Sequence, residues 1–133
     1  YQPPAPERQP SVTGPADVVA AMGDIRAQDC EHVAVLYLDA RSRVIDRRVV
    51  GIGGLRASVI HPRDILGHAL QIPAASLVLC HNHPSGQSDP SPEDLRVTRQ
   101  LAEAAKLLGL ELLDHVIVAE QEFKSLRELG VAL

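Results

Sequence analysis

Aromatic residues are scarce: the 133-residue chain has no tryptophan, two tyrosines and one phenylalanine. Proteins that bind single strands of nucleic acid stack bases on aromatic rings, so that mode lacks its residues here. Positive charge is not in excess either. Thirteen Lys and Arg stand against 17 Asp and Glu, a formal net charge of -4, the reverse of the basic footprint that follows a phosphate backbone. Direct nucleic-acid binding is therefore not expected of this domain. Cys30 and Cys80 are the only cysteines and form no Cys-x-x-Cys pair, which removes thiolate zinc sites and redox couples and leaves a disulfide between them open. No apolar run approaches the roughly 18 residues of a membrane span, and the first residues are polar and proline-rich rather than signal-like. A soluble intracellular chain without membrane association is expected.

What is present is an aliphatic core: 45% of positions are hydrophobic, mostly Val, Leu, Ile and Ala, enough for one domain of this length. Residues 1–15 hold five prolines among polar residues and read as a flexible linker, with the domain spanning 16–133. Pro15 to Gln28 has helical spacing, with Val18, Val19, Met22 and Ile25 on one face. His32 to Asp39 and Val44 to Ile52 read as strands joined by a polar reversal, a hairpin. Gly51, Gly53 and Gly54 break the end of the second strand. Pro62 to Gln71 suits a helix with Ile65, Leu66, Ala69 and Leu70 inward. Ser76 to His81 is a short apolar strand running into a Pro/Ser/Gly/Asp loop. Pro92 to Leu108 is a helix with Leu95, Leu101, Ala105 and Leu108 inward, and Gly109 is its cap. Leu110 to Ala119 is a further strand, and Phe123 to Leu129 a last strand or short helix. Helices interleaved with strands and a hairpin make an α/β single domain with a mixed β-sheet and flanking helices.

Chemistry concentrates between His81 and Asp94. Residues two apart on an extended strand share a face, so His81 and His83 point together. Two imidazoles beside a carboxylate form a three-ligand set that suits zinc and leaves a fourth position open, as in catalytic sites. Asp94 is that carboxylate. Ser91 is a natural N-cap, Pro92 a natural first helical residue, and Asp94 then falls in the first turn. Ser91-x-x-Asp94 also reads as a capping box, which alone explains both residues without a metal. Asp89, between the ligands, competes as a carboxylate, although turn chemistry beside Pro90 accounts for it. Cys80 and Asn82 alternate to the opposite face, and His115, after Asp114, is either a group behind the ligands or a structural histidine.

His-x-His, seven residues, Ser, two residues, Asp matches the JAMM signature in full, so the chain resembles the JAB/MPN metallopeptidases. The runs His81-Asn82-His83-Pro84-Ser85-Gly86, Leu112-Leu113-Asp114-His115 and Ala57 to Arg63 resemble the bacterial RadC family in particular, over about Ala16 to Gly130. This resemblance implies a cytidine-deaminase-like JAB/MPN fold, Zn2+ on His81, His83 and Asp94, and a bacterial, cytoplasmic protein. It also implies an upstream glutamate as general base, here Glu31; the family aromatic two residues later is replaced by Val33. Taken alone, Glu31 equally suits a solvated charge at a strand end. By the same resemblance Ser91 donates to the oxyanion of the tetrahedral intermediate, and a helical domain similar to helix-hairpin-helix modules precedes this one.

The implied function is a zinc metallopeptidase or isopeptidase acting on a peptide or protein substrate. A second class is a non-catalytic JAB/MPN interaction module, linked to DNA-repair or mobile-element proteins, since fold alone never establishes activity. Loss of Glu31 or of a ligand would mark that class, and none is lost. A nucleobase deaminase needs His-x-Glu followed by Pro-Cys-x-x-Cys, and the chain has neither.

Overall fold

The computed structural model describes residues 11–52, 61–84 and 86–133. The expectations for residues 1–10, for Gly53 and Gly54 and for the Ala57 to Ile60 part of the resemblance lie outside that set. Its elements are α1 (Pro15–Ala21), α2 (Gly23–Arg26), β1 (His32–Leu38), β2 (Val44–Ile52), α3 (Pro62–Gln71), β3 (Ser76–Asn82), α4 (Pro92–Leu107), β4 (Glu111–Val118) and β5 (Phe123–Ser125). Among the described residues no helix is long and apolar enough to cross a membrane.

The five strands form one sheet in the order β2-β1-β3-β4-β5. β1 pairs antiparallel with β2 and with β3, β3 pairs parallel with β4, and β4 pairs antiparallel with β5, so the sheet is mixed as the pattern implies. The parallel pair requires a crossover, and α4 supplies it. Alternation sorts the side chains of β1 and β3. Val33, Val35, Tyr37, Leu77 and Leu79 pack with Ile65, Leu66 and Ala69 of α3 and Leu101, Ala102 and Ala105 of α4. Ala34, Leu36, Leu38, Val78 and Cys80 pack with Val18, Met22 and Ile25 on the other face. β1 and β3 are covered on both sides and read as continuous apolar runs, whereas the edge strand β2 has no fully buried residue.

Several expectations change in detail. The first helix is not continuous to Gln28: it breaks at Met22 (φ -114, ψ 18), restarts at Gly23 and ends at Ala27. Glycine at the joint is a poor helix former; the Met22 amide closes α1 onto Val18 and Val19, and the Ile25 amide bonds to the Met22 carbonyl across the joint. Leu70 and Leu108, expected inward, are 57% and 47% exposed; Leu70 stands in the last turn of α3 and Leu108 is the residue that ends α4. Gly109 takes φ +75, and the amides of Gly109 and Leu110 close onto Lys106 and Ala105, so it ends α4 as expected. The segment after β5 is neither strand nor helix but a turn, with the amides of Leu129 and Val131 bonding to Ser125 and Leu126. Ser11 forms an isolated bridge with Arg43, and Thr13 donates to Asp17, so the chain is fastened to the domain from Ser11 onward. The cysteines are not bridged: Cys30 is exposed and Cys80 buried, its thiol pushed up to about 12 by burial.

Candidate metal centre

The site forms where β3 ends against the start of β1 and the N-terminus of α4. Val33 is the register partner of His81, which brings the residues just before β1 beside the histidines. Asn82, whose side chain is on the face opposite His81, secures this junction. Its Oδ1 accepts from the His32 amide at 2.6 Å, and its Nδ2 donates to the carbonyls of Gln28 and Cys30 at 3.3 and 3.1 Å. Glu31 lies inside the clasped segment. The loop after β3 is pinned to the β4–β5 hairpin: the His83 amide bonds to the Val118 carbonyl, the buried Ser88 donates twice to Glu122, and Lys124 donates to Asp89. Asp89 is thus an exposed ion-pair partner of Lys124 and not part of the cluster.

Ser91 caps α4, with its Oγ accepting from the Asp94 amide at 3.0 Å while Asp94 Oδ2 accepts from the Ser91 amide at 2.8 Å. The capping box and the metal reading are therefore compatible, because the box fixes the carboxylate in the first helical turn. Asp94 Oδ1 lies 3.4 Å from His81 Nε2, and its Oδ2 lies 3.4 Å from His83 Nε2. The two Nε2 atoms are 2.8 Å apart, and Glu31 Oε1 is 3.7 Å from that of His83. The cap consumes only the acceptor side of the Ser91 hydroxyl, leaving its O–H for donation.

The electrostatics follow. Burial opposes ionisation of Asp94, but its hydrogen bonds with His81 and His83 outweigh that cost and hold the carboxyl well below the ordinary range. The same hydrogen bond to Asp94 raises the proton affinity of His83 against its burial, with help from the Gln87 carbonyl. His83 Nδ1 is 2.9 Å from that carbonyl, which can only accept, so Nδ1 carries the hydrogen and Nε2 faces the cluster. Two ring nitrogens at hydrogen-bond distance beside carboxylate oxygens can share a proton or hold a cation. Imidazole nitrogens with a carboxylate are a donor set that fits zinc.

Two carboxylates compete for the ligand place. Glu31, His81 and His83 each bring one donor atom within 4.8 Å of the others, so Glu31 stands as near the pair as a ligand would. Asp94 is the better fixed of the two: its side chain is 5% exposed and comes within 3.4 Å of both rings, whereas that of Glu31 is 36% exposed and comes within 4 Å of His83 alone. His115 also enters the cluster, with its Nε2 2.6 Å from His81 Nδ1. Thr98 and Asn82 join through hydrogen bonds that the linear sequence does not announce. Beside His83 opens a polar cleft of about 380 Å³ whose lining includes Arg26, Gln28, Asp29 and Glu120.

Residues 12–131 match the RadC-like JAB domain family. A UPF0758 protein of Bacillus licheniformis is 49% identical over 109 residues, covering 82% of this chain and 49% of the relative. A UPF0758 protein of Shouchella clausii is 44% identical over 123 residues, 92% of this chain and 54% of the relative. The UPF0758 protein YsxA of Bacillus subtilis is 46% identical over 109 residues, 82% of this chain and 47% of the relative. The chain spans about half the length of the curated relatives it matches. With such a match over nearly its whole length, the chain belongs to the RadC-like JAB domain family.

Proposed function

We propose that this domain is a zinc-dependent hydrolase of amide bonds, a peptidase or isopeptidase, in which His81, His83 and Asp94 hold the metal. The observation behind this reading is the convergence of His81 Nε2, His83 Nε2 and the ionised Asp94 carboxylate within 3.4 Å of one another, with Glu31 beside them. Of the two carboxylates, Asp94 suits the ligand role because it is buried and fixed by the cap. Glu31 suits the proton-transfer role because it stands at the mouth, in reach of both the cluster and solvent. Zinc held by His81, His83 and Asp94 would supply Lewis acidity and would lower the pKa of the attacking water toward about 7. Glu31 takes a proton from the attacking water on its carboxylate and returns it to the leaving amine. The Ser91 O–H donates to the substrate oxygen on which negative charge develops, an interaction strongest near the transition state. Substrate is a peptide or protein segment lying in the polar cleft beside His83, and nucleic acid is not expected to bind this domain.

The test is hydrolysis of peptide and isopeptide libraries by the zinc-loaded chain, with Glu31→Gln as the control. Glu31→Gln keeps its zinc and loses about 10²- to 10⁴-fold in turnover, the usual worth of a general base. Turnover unchanged in Glu31→Gln, or absent from the wild type on every substrate, contradicts the reading; the second result favours a non-catalytic interaction module.

A further inference from the structure

His115 is fully buried on β4, and for neutral rings the hydrogen bonds around it leave one arrangement of protons. The Thr98 hydroxyl lies 2.6 Å from the Asp94 carbonyl oxygen, its own helix neighbour one turn back. A carbonyl only accepts, so the single hydroxyl hydrogen is spent there. Thr98 Oγ1 is also 2.5 Å from His115 Nδ1, and with its hydrogen committed it accepts. His115 therefore carries its hydrogen on Nδ1. Complete burial of the ring favours its neutral form, with the one hydrogen on Nδ1. His115 Nε2 is then a bare acceptor 2.6 Å from His81 Nδ1, and His81 must donate to it. As the neutral ring that a metal ligand must be, His81 then has no hydrogen on Nε2, and that lone pair faces His83 and Asp94.

We propose that His115 and Thr98 are positioning residues that fix His81 as the Nδ1–H tautomer and present its Nε2 lone pair to the metal centre. The relay runs from the Asp94 turn of α4 through Thr98 and His115 to His81, so the helix that supplies the carboxylate also sets the proton on the ring facing it. Helix and strands assemble it from residues 17 and 34 positions apart. This deepens the zinc reading of the site, but the tautomer itself is a property of the metal-free chain. Partners of this kind fix the orientation and tautomer of ligating histidines, and losing one costs about 10- to 100-fold in metal affinity.

The test is long-range ¹H–¹⁵N correlation spectroscopy of the imidazole rings in the metal-free full chain, assigned by single histidine substitutions. His81 and His115 are expected as Nδ1–H tautomers in the wild type. Thr98→Val, nearly isosteric, removes the acceptor for His115 Nδ1–H; His81 then mixes with its Nε2–H form and zinc affinity falls about 10- to 100-fold. Thr98→Ser restores both readouts, which a merely space-filling role for residue 98 does not predict. His81 found as Nε2–H in the wild type overturns the proposal, as does Thr98→Val with unchanged tautomer and zinc affinity. Should the wild type show Nδ1–H at His81 and bind no zinc, the relay stands and the hydrolase reading falls.

Discussion

Asp94→Asn separates the two roles of Asp94. The substitution keeps the size of the side chain and an oxygen that still accepts from the Ser91 amide, now 2.8 Å from Oδ2, so most of the capping box survives. What goes is the negative charge, which sits at a helix N-terminus and between two imidazoles. The first loss is worth about 0.3–1 kcal/mol, and at a pH where both rings are neutral little further attraction is lost, so the metal-free variant should be destabilised by about 1 kcal/mol. With zinc the account is different. At free zinc about 100 times Kd the wild type gains about 2.7 kcal/mol from ligation, while Asn, a poor zinc ligand, forfeits most of it. For a chain of this size 1 kcal/mol moves Tm by about 4 °C, so zinc should raise the wild-type Tm by about 10 °C and that of Asp94→Asn by less than about 3 °C. Thermal melts followed by circular dichroism, in chelator and in excess zinc, read both numbers. Equal zinc shifts in the two proteins would refute Asp94 as a ligand. A fall of 10 °C or more in chelator alone would show that the residue serves the fold rather than the metal.

Three outcomes follow from other contacts. Asn82→Ala releases the Gln28 and Cys30 carbonyls and the His32 amide together; with one buried group left unpaired costing about 1–3 kcal/mol, urea melts should show a loss in that range, and turnover should fall through misplacement of Glu31 while zinc content holds. Unchanged stability would mean water replaces the clasp. Asp39 is held below its ordinary value by the Arg43 amide first and the Arg41 amide after it, and Asp46 by its hydrogen bond to His68 first. A depressed folded-state pKa gives stability that is complete above the unfolded value of about 3.9 and drains away as pH falls through the folded one. Metal-free melts from pH 6 to pH 2 should therefore steepen below about 4, and Asp39→Asn should flatten part of that limb. An Asp39→Asn curve parallel to the wild type down to pH 2 would contradict it.

Much of the fold is legible in the sequence because punctuation marks it. Pro62 and Pro92 open α3 and α4 at the expected residues, Gly109 closes α4, and β2 runs from Val44 to Ile52 as its pattern implies. The first helix is misread past Met22 because apolar spacing continues across Gly23, and periodicity registers Ile25 on the right face without registering the break. Leu70 and Leu108 obey the helical period but stand at the helix ends, where period alone does not predict burial. At the site, the pairing of His81 with His83 needs only the two-residue repeat of a strand, and the Asp94 position needs only a cap. Asn82, Thr98 and His115 matter through partners 50, 17 and 34 positions away, and only strand register and helix placement bring those together.

The most direct test of the central claim is the zinc content of the purified chain by elemental analysis, comparing wild type with His83→Ala and Asp94→Ala. About one zinc per wild-type chain and a clear loss in both variants is the predicted result. A wild type without zinc after zinc is supplied, or variants that retain it in full, would contradict a metal centre on His81, His83 and Asp94.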